Sequence, residues 1–116
     1  MKQRLLVMNG QRIVQQESNS NWTNVRVDKA GDLRPGIYAL YTAKPADKAK
    51  ETIGVILHVD KEHVYQEEGR SIVTHDSKAF DTVNQPQPGT MKAIKYEQGK
   101  ATAQPASLQQ GRGLKR

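Results

Sequence analysis

The chain has 116 residues, no cysteine and a formal net charge of +6, with only 35% of its residues hydrophobic. That length suits one domain, the missing cysteines exclude disulfides, thiolate nucleophiles and Cys-ligated metals, and the longest N-terminal apolar run, Leu5–Met8, is too short for a signal-peptide core or a membrane span. The charge is uneven: residues 1–45 carry +4, residues 46–82 carry −3, residues 83–97 carry +1 and residues 98–116 carry +4. A basic patch for nucleic acid is compatible with this distribution but not demanded by it.

Taken in order, Leu5-Leu6-Val7-Met8, Asn9-Gly10 and Gln11-Arg12-Ile13-Val14-Gln15 read as a hairpin. Asn-Gly tolerates the positive φ that a two-residue type I′ turn requires. In that register Leu6 faces Ile13 and Leu5 faces Val14, with strands at about 3–8 and 11–17. After a polar loop at 17–21, WTNVRV at 22–27 alternates Trp22, Asn24 and Arg26 against Thr23, Val25 and Val27, the period of a strand.

The next stretch, residues 35–66, holds three strand-like runs, IYALYTA, TIGVILHV and HVYQ. The first places Tyr38 and Tyr41 on opposite faces, one toward the core and one toward solvent. Between the first two runs, KPADKAKE at 44–51 is either a short helix opened by Pro45 or a solvated loop. Thr52 to Val59 is apolar and β-branched, as a central strand should be.

Ser71 to His75 reads as a further strand, and Asp76 caps one helical turn, with Phe80 plugging one end of the core. The two prolines of NQPQPG at 84–89 break regular structure. Strands resume at Thr90–Tyr96 and Lys100–Ala103. From Gln104 the chain has the composition of a flexible basic tail. The expectation is an all-β fold, a mainly antiparallel small barrel or sandwich with one or two short helical turns. One domain spans 1–103 and the tail spans 104–116.

Chemistry-bearing patterns are few. His58, Asp60 and His63 surround one turn, but their spacing is not that of a helical metal motif, and no further ligands accompany them. No G-x-S-x-G, phosphate-cradling glycine loop or paired-carboxylate signature occurs, so no catalytic residues, no metal and no cofactor are expected. A binding face is the remaining candidate. Arg12, Trp22, Arg26, Arg34, Tyr41 and Arg70 are its residues, as a basic and aromatic surface able to stack bases. The plainer reading is that the aromatics fill a small barrel and the arginines form its solvated rim. One continuous basic-aromatic face would favour nucleic acid, and arginines scattered around the barrel would count against it.

Finally, PGIYALYTAKPADKAKETIGVILHVDKEHVYQEEGRSIVTHDSKAFDTV resembles the KfrB domain of plasmid-encoded proteins. The matching features are Gly36-Ile37-Tyr38 with Leu40-Tyr41, Ala43 through Ala46, Gly54-Val55, His58-Val59-Asp60, Val64-Tyr65-Gln66, Gly69, His75, Phe80-Asp81 and Gly99-Lys100-Ala101. The resemblance covers about residues 35–103. It implies a bacterial, cytoplasmic, non-enzymatic accessory role in plasmid stability, conjugative transfer or its control. The partner it implies is a protein, of the plasmid or the host, or DNA or RNA; the acidic 46–82 segment against the basic N-terminal third also suits self-association, and no membrane partner is expected. It supplies no active-site residues.

Overall fold

The computed structural model describes residues 2–31, 33–69, 71–80 and 85–105. Among them ten strands form two sheets, and the only helical elements are 3-10 turns, so the fold is all-β as the sequence implies. The first sheet contains β1 (Gln3–Met8), β2 (Gln11–Ser18), β3 (Asn21–Lys29) and β4 (Gly36–Tyr38), in the order β3-β2-β1-β4. The second contains β5 (Lys44–Pro45), β6 (Thr52–Val59), β7 (His63–Glu68), β8 (Ser71–Asp76), β9 (Met91–Glu97) and β10 (Lys100–Pro105), ordered β10-β9-β6-β7-β8-β5. Pairing is antiparallel throughout except between β5 and β8.

The opening hairpin forms as its sequence dictates. Asn9 and Gly10 adopt φ of 53° and 76°, and Leu6 lies opposite Ile13 with Leu5 opposite Val14. The three central runs do not stay together, however. The first contributes β4 to the first sheet and then turns into a 3-10 segment, Leu40–Thr42, which ends the strand at Tyr38. The other two become β6 and β7 of the second sheet. KPADKAKE is not a helix: Lys44 and Pro45 pair with Val73 and Thr74, and the Asp47 carboxylate then accepts the backbone N–H of Ala49, which turns the chain.

Alternation decides what each sheet buries. Leu5, Val7 and Val14 point from the first sheet onto Val55 and Leu57 of the second, with Ala30, Leu33 and Leu40 closing this core. Ile56, Val64, Phe80, Ile94 and Ala101 form another core on the opposite face of the second sheet. β6 therefore feeds both, which explains its near-continuous apolar run. Tyr38 packs against the first core while Tyr41 is exposed, and Phe80 closes the second.

The second sheet is rolled. His75 on β8 and Tyr96 on β9 hydrogen-bond at 2.6 Å, although β6 and β7 lie between those strands in the sheet. Two register breaks help to shape the molecule. One leaves Leu57 as an extra residue between Ile56, opposite Gln66, and His58, opposite Tyr65. The other falls between Val14 and Gln15, where β3 carries Val25 as the extra residue.

Candidate functional site

The outer face of the first sheet carries an uninterrupted aliphatic row. Ile37, Leu6, Ile13 and Val27 lie opposite one another across all four strands, and Met8 stands one row away. Ile37 is 62% exposed and Val27 50%, so the row is open to solvent. Beside it, Arg4 donates through Nε to the Gln15 Oε1 at 2.7 Å, and the Gln15 amide donates to Asn24 Oδ1 at 2.8 Å. At the far end the Arg4 guanidinium lies 4.2 Å over Trp22, and the Trp22 and Tyr41 ring centroids are 6.3 Å apart. The Lys2 ammonium sits 5.2 Å over Tyr41. By strand alternation Lys2, Arg4 and Lys29 share this face with one acid, Glu17. β3 borders it as an edge strand, exposed along nearly all its length.

Trp22 and Tyr41 are thus brought together, but not with the arginines the sequence suggested. Arg12 lies opposite Val7, on the inward face, and is buried. Arg26 would share a face with Trp22 on a regular strand; the extra Val25 turns it to the other side, opposite Val14. Arg34 stands apart, in a recess with Ile53, Glu67 and Met91, where its carbonyl accepts from the Tyr38 hydroxyl at 2.6 Å. Arg70 lies outside the described residues. The cations over the two rings are Arg4 and Lys2. Neither is among the six candidates read from the sequence, although Arg4 is one of the arginines whose place relative to Trp22 and Tyr41 decides the reading; the pairing of β1 with β3 through β2 is invisible locally.

On the inward side, Arg12 Nη2 donates to Asp28 Oδ2 at 3.3 Å and Arg26 Nε donates to the same oxygen at 2.7 Å. These two arginines line a recess of about 240 Å³ with His58, Val59 and the segment Gln85–Pro88. Burial holds His58 below the usual histidine range, with Asp60 opposing that shift and Arg12 and Arg26 adding to it.

A third constellation lies across the rolled sheet. The Gln66 side-chain amide donates to the carbonyls of Thr52, Gly54 and Lys92 at 3.2, 3.2 and 3.0 Å. That fixes its Oε1 as an acceptor, so His75 donates from Nε2, at 2.7 Å. His75 Nδ1 is then unprotonated and accepts from the Tyr96 hydroxyl. Burial pushes the His75 imidazole down to about 4, while burial and then Asp76 push the Tyr96 phenol up to about 12. His75 and Tyr96 form one wall of a cleft of about 420 Å³ that also exposes Lys48, His63 and Asp76. Gln66 and Tyr96 were missed in sequence; the available signal was a glutamine on the inward phase of β7, two residues after Val64.

The turn at His58–His63 does not make a metal site. The Asp60 carboxylate accepts the backbone N–H groups of Glu62 and His63, at 2.9 and 2.7 Å. Among the described residues no group of three or more His, Asp or Glu side chains converges to hold a metal. No helix among them is long and apolar enough to cross a membrane.

The molecule is a two-sheet all-β module with an open basic-aliphatic face and a rolled second sheet pinned by a chain from buried Gln66 and His75 to half-buried Tyr96. Residues 51–105, from the residue before β6 to the end of β10, match the family model described as KfrB Domain. Over 99 residues it is also 34% identical to Protein TraB of Escherichia coli, covering 83% of this chain and 66% of that protein. The chain thus spans just under two thirds of the length of this curated relative.

Proposed function

We propose that this chain is a plasmid-encoded, non-enzymatic accessory module of plasmid maintenance or conjugative transfer. It acts in the cytoplasm by docking another protein on the outer face of its first sheet. The KfrB domain and the similarity to TraB support the setting. The observation that carries the docking reading is the exposed row Ile37–Leu6–Ile13–Val27 beside the free edge of β3. Aliphatic side chains aligned across four strands and left open are unusual on a surface that need not meet another. With Lys2, Arg4 and Lys29 against Glu17, the face suits a partner whose apolar surface has an acidic rim.

The test places a photo-crosslinking amino acid at Ile37 in cells carrying the plasmid. One defined protein should be captured, its contact surface acidic, and Val27→Lys should abolish capture without lowering stability. Crosslinking no more selective than from exposed Lys100 on β10 would overturn the reading.

The alternative is non-specific DNA or RNA binding through the basic and aromatic end of the same face and the tail, and Arg4, Lys2, Trp22 and Tyr41 favour it. Against it, one face of each ring is already covered by a cation, so less ring surface is left for bases. Salt-sensitive micromolar binding of single-stranded DNA, lost in Arg4→Gln, would favour this alternative over protein docking.

A further inference from the structure

Among the described residues, the recess on the opposite side of the first sheet is short of an anion. Arg12 is more than nine-tenths buried, and its guanidinium carries five N–H donors. The described residues give its side chain a single hydrogen bond, at 3.3 Å to Asp28, and its Nε has no partner. Asp28 is shared, since Arg26 donates to the same oxygen at the shorter distance of 2.7 Å. The remaining walls do not make good the deficit. Val59 is apolar, and among the described residues neither arginine donates to His58, to the Gln85 or Gln87 side chains or to the Pro86 and Pro88 carbonyls. Closing a donor off from water without giving it an acceptor is costly, and in Arg12 that donor is the Nε–H.

We propose that this recess is a carboxylate-binding site, built on Arg12 and Arg26 and closed by the Gln85–Pro88 segment. Its volume of about 240 Å³ exceeds that of a single water several-fold and accommodates a carboxylate with its first carbons. Two arginines less one aspartate leave one net positive charge, which matches a monoanion. A phosphate dianion would enter undercompensated between proline and valine walls, at a larger desolvation cost. A planar carboxylate also meets guanidinium edges two-pronged, the geometry that gives the stronger charge-assisted bonds. The carboxylate belongs either to a free small acid or to a glutamate or aspartate side chain of a peptide; the recognition chemistry is the same. This inference does not rest on docking at the outer face, which lies on the other side of the sheet.

The experiment follows the arginine Nε–Hε and His58 signals of the full chain by NMR. Sodium acetate is titrated as the free acid and a blocked Gly-Glu-Gly peptide as the side-chain source, with sodium chloride and sodium phosphate at matched ionic strength. Saturable shifts of the Arg12 signal on the order of 1–10 mM are expected with carboxylate, and none with chloride. The His58 titration midpoint should rise by roughly half a unit, because an anion now faces it. Arg26→Gln, a change at a largely exposed side chain, should weaken binding about tenfold or more, and Arg34→Gln should leave it unchanged. Tighter binding of the peptide than of acetate assigns the site to a protein side chain, and equal binding to a free acid. No saturable shift by 100 mM, or phosphate binding as tightly as acetate, would overturn the assignment.

Discussion

At the residue scale, Gln66 has the most to lose. Its side-chain amide serves three backbone carbonyls and its carbonyl holds His75, all in a site closed to water. Leucine would fill a similar volume but take the amide from those carbonyls, which also lie in the β6–β9 ladder, and leave the buried His75 N–H without its acceptor. A buried donor without a partner costs about 1–3 kcal/mol when it cannot relax, so Gln66→Leu should lower stability by about 2 kcal/mol or more in urea unfolding. A loss below about 1 kcal/mol would show that water or a rearranged strand replaces the amide. His75 adds a pH dependence. It is neutral in the fold, with its pKa lowered to about 4 from the ordinary 6.5, so the unfolded chain takes up a proton first as the solution is acidified. Its contribution is fully present above pH 6.5 and is lost as the pH falls from there toward 4. His58, also lowered, acts with the same sign. Urea midpoints should therefore fall between pH 7.5 and 5.5, before most carboxylates titrate, and the His75 ring should show an Nε2-protonated tautomer. A flat midpoint across that window would contradict the buried neutral assignment.

At the scale of elements, two glycines separate conformational need from spatial need. Gly10 has φ +76° and open space around it, so Gly10→Ala should cost only the left-handed penalty, about 1–2 kcal/mol. In Gly54 a Cβ would fall on the Glu67 carbonyl, where β6 and β7 cross closely, and backbone cannot swing aside as a side chain does. Gly54→Ala should therefore cost about 3 kcal/mol or more by the same unfolding measurement, and equal costs at the two sites would refute the close crossing. The same contrast explains what the sequence conveys. Asn9-Gly10, the apolar run of β6 and the Asp76 cap are local signals, and each became the element it implies. The extra Val25 is not signalled locally, and it alone moves Arg26 off the face that Trp22 occupies. Asp47 likewise diverts KPADKAKE from helix by capturing a backbone N–H. The candidate binding residues were accordingly legible as types but not as a set, because a one-residue slip reverses every later side chain.

At the scale of the whole molecule, the question is whether the two sheets unfold as one. The first sheet has a core on only one side, and its supporting residues Val55 and Leu57 belong to β6, which also presents Ile56 to the second core. A strand shared by both cores couples them, because neither can lose β6 and remain packed. The sole tryptophan makes the coupling measurable: Trp22 lies on the outer face of the first sheet, whereas Ile94 is fully buried in the second core. Ile94→Ala deletes buried carbon and should cost about 2–5 kcal/mol. If the fold is one cooperative unit, the Trp22 fluorescence transition in urea should shift as far as the far-UV circular dichroism transition, and the two should coincide. If the first sheet were independent, the fluorescence midpoint would stay at its wild-type value while the dichroism signal split into two steps. That outcome would make residues 3–38 a unit separate from residues 51–105, the stretch that matches the KfrB model. Leu57→Ala is the complementary change, in the core that both sheets share, and under either arrangement it should move the fluorescence transition.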